Sequence, residues 1–250
     1  MATTKNSSQP KGRRLHLAND LEILADHRHE ISGAQLVLAR LKNSKEERFV
    51  TAWIAPWQRT VRDFVIHDGE AVASADFDLK AQADPPVTPD LKRDWQKNAV
   101  YGWEGKTIRR HDSPLSRDHL QKIVERVANE FNLVSAPTIN ARSKHMQWLA
   151  DYDDKKNHIR IHNGQWRLSF VLHELAHAVD TKINNNRWAD HSPSFMRTLL
   201  MVVEKYKYWH NIAELEQTAN KAGIMIAPVT ALPNLRSAPE SSHDLHLSPL

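Results

Sequence analysis

The chain has 250 residues, enough for one large domain or two small ones around a sizeable core. Hydrophobic residues make up 40% and charged residues 26%, as in an ordinary globular protein, and no run of about 18 apolar residues is present to cross a membrane. The net charge of +4 is a mild excess of base, and the absence of cysteine excludes disulfides, thiolate ligands and cysteine nucleophiles, so a metal here must be held by histidine and carboxylate.

Residues 1–18 read as a disordered arm, rich in Ser, Lys, Arg and Gln. The same stretch lacks the apolar centre of a secretory signal, so a cytoplasmic location is expected. From Asp20 to Lys42 the apolar positions Leu21, Leu24, Ile31, Ala34, Leu36, Val37 and Leu41 recur at threes, fours and sevens, which predicts a helix that Gly33 weakens. "RFVTAWIAPW" and "RDFVIHDGEAV" have strand character, and "ADPPVTPDLKRDW", with its three prolines, reads as a loop. Residues 19–107 are thus expected to form a helical or mixed N-terminal extension of no evident role.

"SPLSRDHLQKIVERVANEFNL" predicts an amphipathic helix, with Ser113 as N-cap, Pro114 at its first position, and Leu120, Ile123, Val124, Val127 and Phe131 along one face. "PTINAR", "MQWLADYD" and "HIRIH" are short alternating runs between polar turns, and predict a three-stranded antiparallel meander closed by Asn163-Gly164. A second helix begins near Trp166. After the polar loop "TKINNNRWAD", Ser192 caps and Pro193 starts a third, whose apolar face runs Phe195, Leu199, Val203 and Tyr206. "IAELEQTANKAGIMI" predicts a last short helix stopped by Gly223 and one short strand, and residues 229–250 read as a disordered tail. The order implies an α+β fold over 108–228, with a small antiparallel sheet packed on the helix that starts near Trp166.

That helix carries "LSFVLHELAHAVD". His173 and His177 stand four apart, one turn of helix, so both imidazoles can address one ion. Glu174 is rotated about 100° from His173, placing it to act on a water at that ion. Leu168, Leu172, Leu175 and Val179 occupy the opposite side, as a helix with one face in the core and one in a cleft requires. A His-Glu-x-x-His string arises by chance in roughly one chain in twenty of this composition, so its helical, two-sided context carries the weight.

A catalytic zinc needs a third protein ligand and one open position. Asp180 lies three residues after His177, where metzincins have glycine, and Ile183 stands where they have histidine, so that pattern fails. Glu204 on the next helix is one candidate. His191, just before the capped "SPSF" helix start, is the favoured one, because imidazole suits zinc and a rigid helix orients it. Asp180 is also a candidate acceptor for a ligand imidazole N–H, ahead of His158 and His162 as orienting groups.

"VLHELAHAVD" followed by "HSPSF" resembles the SprT-like zincin metallopeptidases, in which HExxH precedes a third histidine in an "HG/SPxF" phrase. With "TINARSKHMQWLADYDDKKNHIRI" and the terminal "AGIMI", the chain is similar to a group of metallohydrolases from actinobacteria and their phages, over about residues 108–228. The resemblance implies a zincin-like fold with one Zn2+ held by His173, His177 and His191, with Glu174 as general base in peptide hydrolysis. Some SprT-like members act on proteins attached to DNA, but this chain lacks their four-cysteine ribbon, which counts against that role. An extended polypeptide substrate is expected to pair with the strand around Ile159 and Ile161. The competing expectations are a catalytically silent zinc-stabilised binding or structural protein, and a nucleic-acid-binding module using a basic face.

Overall fold

The computed structural model describes residues 14–110, 112–142, 149–162, 165–206 and 211–232. The elements are β1 (Leu15–His16), α1 (Leu17–Asp20), β2 (Leu21–Arg28), β3 (Gln35–Leu41), β4 (Phe49–Ile54), β5 (Thr60–Val61), β6 (Val65–His67), α2 (Glu70–Ala81), α3 (Pro89–Lys92), α4 (Lys97–Lys106), α5 (Arg117–Glu130), β7 (Thr138–Arg142), β8 (Ala150–Asp153), β9 (His158–His162), α6 (Leu168–Asn184), α7 (Pro193–Tyr206) and α8 (Ile212–Lys221). The fold is α+β, as expected. No helix among the described residues is long and apolar enough to cross a membrane.

The helix expected from Asp20 to Lys42 is instead a β-hairpin. Strands β2 and β3 pair antiparallel from Leu21↔Leu41 to Arg28↔Gln35, in a sheet of order β2-β3-β4-β6. The apolar run "QLVLARL" satisfies a helical and a strand pattern equally, and tertiary burial decides between them. Leu38 and Phe49 face Ala73 and Phe77 of α2 on one side of the sheet. Val37, Ala39, Val50 and Ala52 meet Leu15, Val61 and Phe64 on the other. Gly33 sits at the hairpin tip with φ +75°, a conformation that favours glycine. Two further expectations give way here. Leu15, placed in a disordered arm, is buried and pairs with Val61, and Leu232, placed in the tail, is buried beside a 3-10 turn at Val229–Ala231.

Around α6 the sequence pattern holds better. Leu168, Leu172, Leu175 and Val179 are buried in one core with Leu120, Val124 and Val127 of α5, Ile159 and Ile161 of β9, and Phe195, Leu199 and Val203 of α7. Val100 and Trp103 of α4 belong to the same core, which therefore crosses the division expected at 107/108. The start of α5 differs: Ser116 is the N-cap, accepting from His119 N, while Pro114 forms an isolated bridge with Arg167. Ser192 accepts from Phe195 N at 3.3 Å and Pro193 opens α7, as expected. Asp112 reaches across the chain to cap α6, accepting from Ser169 N at 2.9 Å and from its hydroxyl.

The second sheet is not an antiparallel meander. Its order is β7-β9-β8, with β7 parallel to β9 and β8 antiparallel to it. The strand with two fully buried isoleucines takes the centre, and β8, half-buried throughout, takes the edge. The β8–β9 turn is made by Asn157 at φ +52°. The expected Asn163-Gly164 turn lies outside the described residues. No strand forms at "AGIMI"; Gly223 at φ +74° ends α8, and Ile224 to Ala227 run on as irregular chain tied to Gln96 and Pro193.

Candidate metal centre

His173 and His177 project from one side of α6, and His191 enters from the loop before α7. The Nε2 atoms of His177 and His191 lie 3.2 and 3.3 Å from Nε2 of His173. Among the described residues, these three form the histidine, cysteine or carboxylate group whose ligand atoms all fall within 4.8 Å of one another. Glu204 is exposed on α7 and is not part of that group.

Hydrogen bonds on the far side of two rings set their tautomers. His173 Nδ1 donates to Glu104 Oε1 at 2.8 Å, and His191 Nδ1 donates to Asp94 Oδ2 at 2.7 Å. A carboxylate can only accept, so each neutral ring keeps its proton on Nδ1 and presents a bare lone pair at Nε2. The 3.3 Å contact between those two Nε2 atoms is then lone pair to lone pair, not a hydrogen bond. A cation removes that conflict. Two nitrogens at zinc-bonding distance from one tetrahedral ion stand about 3.3–3.4 Å apart, which the observed separations match. The donor set fits the metal: three imidazoles, no thiolate, and a cleft beside them for a fourth position.

The third ring is held differently. His177 stacks on Phe195, with centroids 4.3 Å apart and planes at 28°, and Phe195 also touches the other two imidazoles edge-on. Burial and the two neighbouring rings push the His177 imidazole well below its usual value, toward the neutral form a metal ligand must have.

Glu174 is 5% exposed, and no hydrogen-bond partner is recorded for it among the described residues. It lines a cleft of about 410 Å³ together with His177, His191, Tyr101, Lys97 and the edge strand residues Ala150, Asp151 and Tyr152. Burial, then the charges of Asp151 and Glu104, raise its carboxyl to about 8. Tyr101 packs its ring 5.0 Å from His191 and 5.4 Å from His173, and burial followed by Glu174 raises its phenol. Five carboxylates line this cleft (Asp151, Asp154, Glu174, Asp180, Asp190) against one ammonium, Lys97. Asp151 is gripped by Arg160 at 2.9 and 2.6 Å.

Three sequence expectations are corrected. Asp180 does not accept from a ligand imidazole; it accepts from Ser194 Oγ and from Asn184 Nδ2, and so ties α6 to α7. Its place is taken by Asp94 and Glu104. Ile159 and Ile161 cannot pair with a substrate, because both are fully buried in the central strand with β7 and β8 on either side. The strand that borders the cleft is β8. His158 and His162, at the ends of β9, are not among the lining residues.

Reasoning from sequence missed Asp94, Gln96, Tyr101 and Glu104 altogether, although they surround the site. Gln96 Nε2 donates to His191 O at 2.6 Å while its Oε1 accepts from Met225 N at 3.0 Å, so it braces the loop that carries the third histidine. The hairpin tip adds a second brace, since Ile31 O accepts from Ser194 N at 3.2 Å. Helix α4 escaped notice because Gly102 and Gly105 depress its helical propensity. The one available signal was the spacing of Lys97, Tyr101 and Glu104 on successive turns around a buried Val100 and Trp103. No family model, no curated protein and no solved structure gave a significant match to the chain, so the centre stands on its own geometry.

Proposed function

We propose that this protein is a zinc-dependent hydrolase that cleaves peptide bonds, with His173, His177 and His191 as ligands and Glu174 as general base. One observation carries the reading: three imidazole nitrogens converge at tetrahedral spacing, two of them as bare lone pairs, beside a buried carboxylate that has no hydrogen-bond partner among the described residues. A zinc ion bound there supplies Lewis acidity, acidifying a water and polarising a carbonyl.

The chain's own groups divide the remaining work. Glu174 takes the proton of the attacking water on a carboxylate oxygen and delivers it to the departing amine. Burial raises its carboxyl in the metal-free protein, and the charge of a bound ion would draw it back toward the carboxylate that accepts the proton. Among the described residues β8 pairs with β9 alone, so its other side can offer backbone N–H and C=O groups to an extended chain and fix the substrate in register across the cleft.

Metal content and cleavage measured together test the reading. The expected result is about one zinc per chain in both the parent and Glu174→Gln, with cleavage of casein slowed about 10²–10⁴-fold in the variant. His191→Ala should lose the zinc and Glu204→Ala should keep it. A zinc-loaded parent that cuts no polypeptide would leave a stabilising metal in a binding or structural protein, and the hydrolase reading would fall.

A further inference from the structure

The segment from Asp94 to Arg109 lies outside the part of the chain whose motifs point to a metal centre, yet it supplies a carboxylate behind two of the three ligands. Glu104 is fully buried and uses both oxygens: Oε1 accepts from His173 Nδ1 at 2.8 Å and Oε2 accepts from Arg109 Nη2 at 2.8 Å. Asp94 approaches His191 from the loop before α4, with Oδ2 at 2.7 Å from Nδ1. Two anions from one short stretch of chain, each on the outer nitrogen of a different ligand, are more than packing requires. A buried carboxylate is costly unless its partners repay the desolvation, and the partner here is a ring whose other nitrogen points at the ion.

From this geometry we propose that Asp94 and Glu104 are positioning residues of the metal centre. Each holds its histidine in the Nδ1–H tautomer and in the ring orientation that turns Nε2 inward, and each offsets part of the ion's charge. Arg109 acts one step further out by fixing the free oxygen of Glu104, and its guanidinium lies 4.8 Å above the Phe170 ring, which fixes it in turn. His177 is held instead by stacking on Phe195, and among the described residues no carboxylate bonds to its ring. The N-terminal part of the chain is therefore a working part of the site. This rests on the reading of His173, His177 and His191 as ligands.

The test is metal affinity in the full-length chain, measured by competition for Zn2+ with a chromophoric chelator, together with the ligand-field spectrum of the Co2+-loaded protein. Asp94→Asn and Glu104→Gln keep shape and an acceptor oxygen while removing charge; Asp94→Ala and Glu104→Ala remove both. Zinc affinity is expected to fall about 10- to 100-fold in the amide variants, and further in the alanine variants, with altered Co2+ bands and an intact metal-free melt. Should Glu104 variants fail to fold, Asp94, with 19% of its side chain exposed, keeps the proposal open to refutation. Parent-like affinity and spectra in folded Asp94→Ala would overturn it, as would a parent that binds no zinc. A parent that binds zinc tightly but cleaves nothing defeats the proposed reaction and leaves this assignment standing.

Discussion

Two acidic side chains on α6 lie six residues apart and are both more than nine-tenths buried, yet they meet different neighbours. Glu174 lines the cleft with no hydrogen-bond partner among the described residues, whereas Asp180 accepts from Ser194 and Asn184 at the junction with α7. Burial is the larger influence on Asp180 and raises its carboxyl to about 7, against the pull of those two donors. Its value in the unfolded chain is about 3.9. The folded state thus binds the proton more tightly, so the group favours folding below about pH 4 and loses that contribution as pH rises to about 7. Metal-free parent protein should lose stability over that range through this group, and Asp180→Asn should flatten the loss. Denaturant unfolding at pH 5 and pH 8 checks it: an unchanged pH dependence in the variant means that Asp180 is not the group responsible.

Between α6 and α7, position depends on how the elements brace one another. The loop bearing His191 is pinned by the N-cap at Ser192, by Gln96, and by the hairpin tip at Ile31 to Gly33. Gly33 has φ +75°, and a Cβ added there would meet Pro193 Cγ at 3.2 Å. Gly33→Ala therefore combines a left-handed residue with a crowded contact against the first residue of α7. A loss of about 1–2 kcal/mol in unfolding free energy is expected, with weaker zinc binding because His191 is two residues away. A variant as stable as the parent would show that the tip yields without cost. Strand β3 could not be told from a helix in one dimension, because a run buried on both sides loses its alternation. Helix α6 could be read, because its apolar and polar faces differ and its pattern repeats over several turns.

Seen whole, the described residues form three sheets and one candidate metal centre that draws on segments far apart in the chain. Val100 and Trp103 sit in the core built around α6, and Asp94 and Glu104 stand behind its histidines. A fragment of residues 108–250, which the sequence motifs alone would select, lacks all four. It should melt with little cooperativity and bind zinc weakly; a compact fragment with parent-like affinity, seen by calorimetry and chelator competition, would separate the N-terminal part from the site.

The sequence by itself determined the motif helix, its two faces, the capped start of α7 and the candidates for the ion, because each follows from spacing along a few turns. Tertiary structure decided which residue completes the trio, which strand borders the cleft and which carboxylates stand behind the rings. Those choices depend on contacts between residues from 18 to 97 positions apart, where periodicity carries no information and only packing brings the groups together.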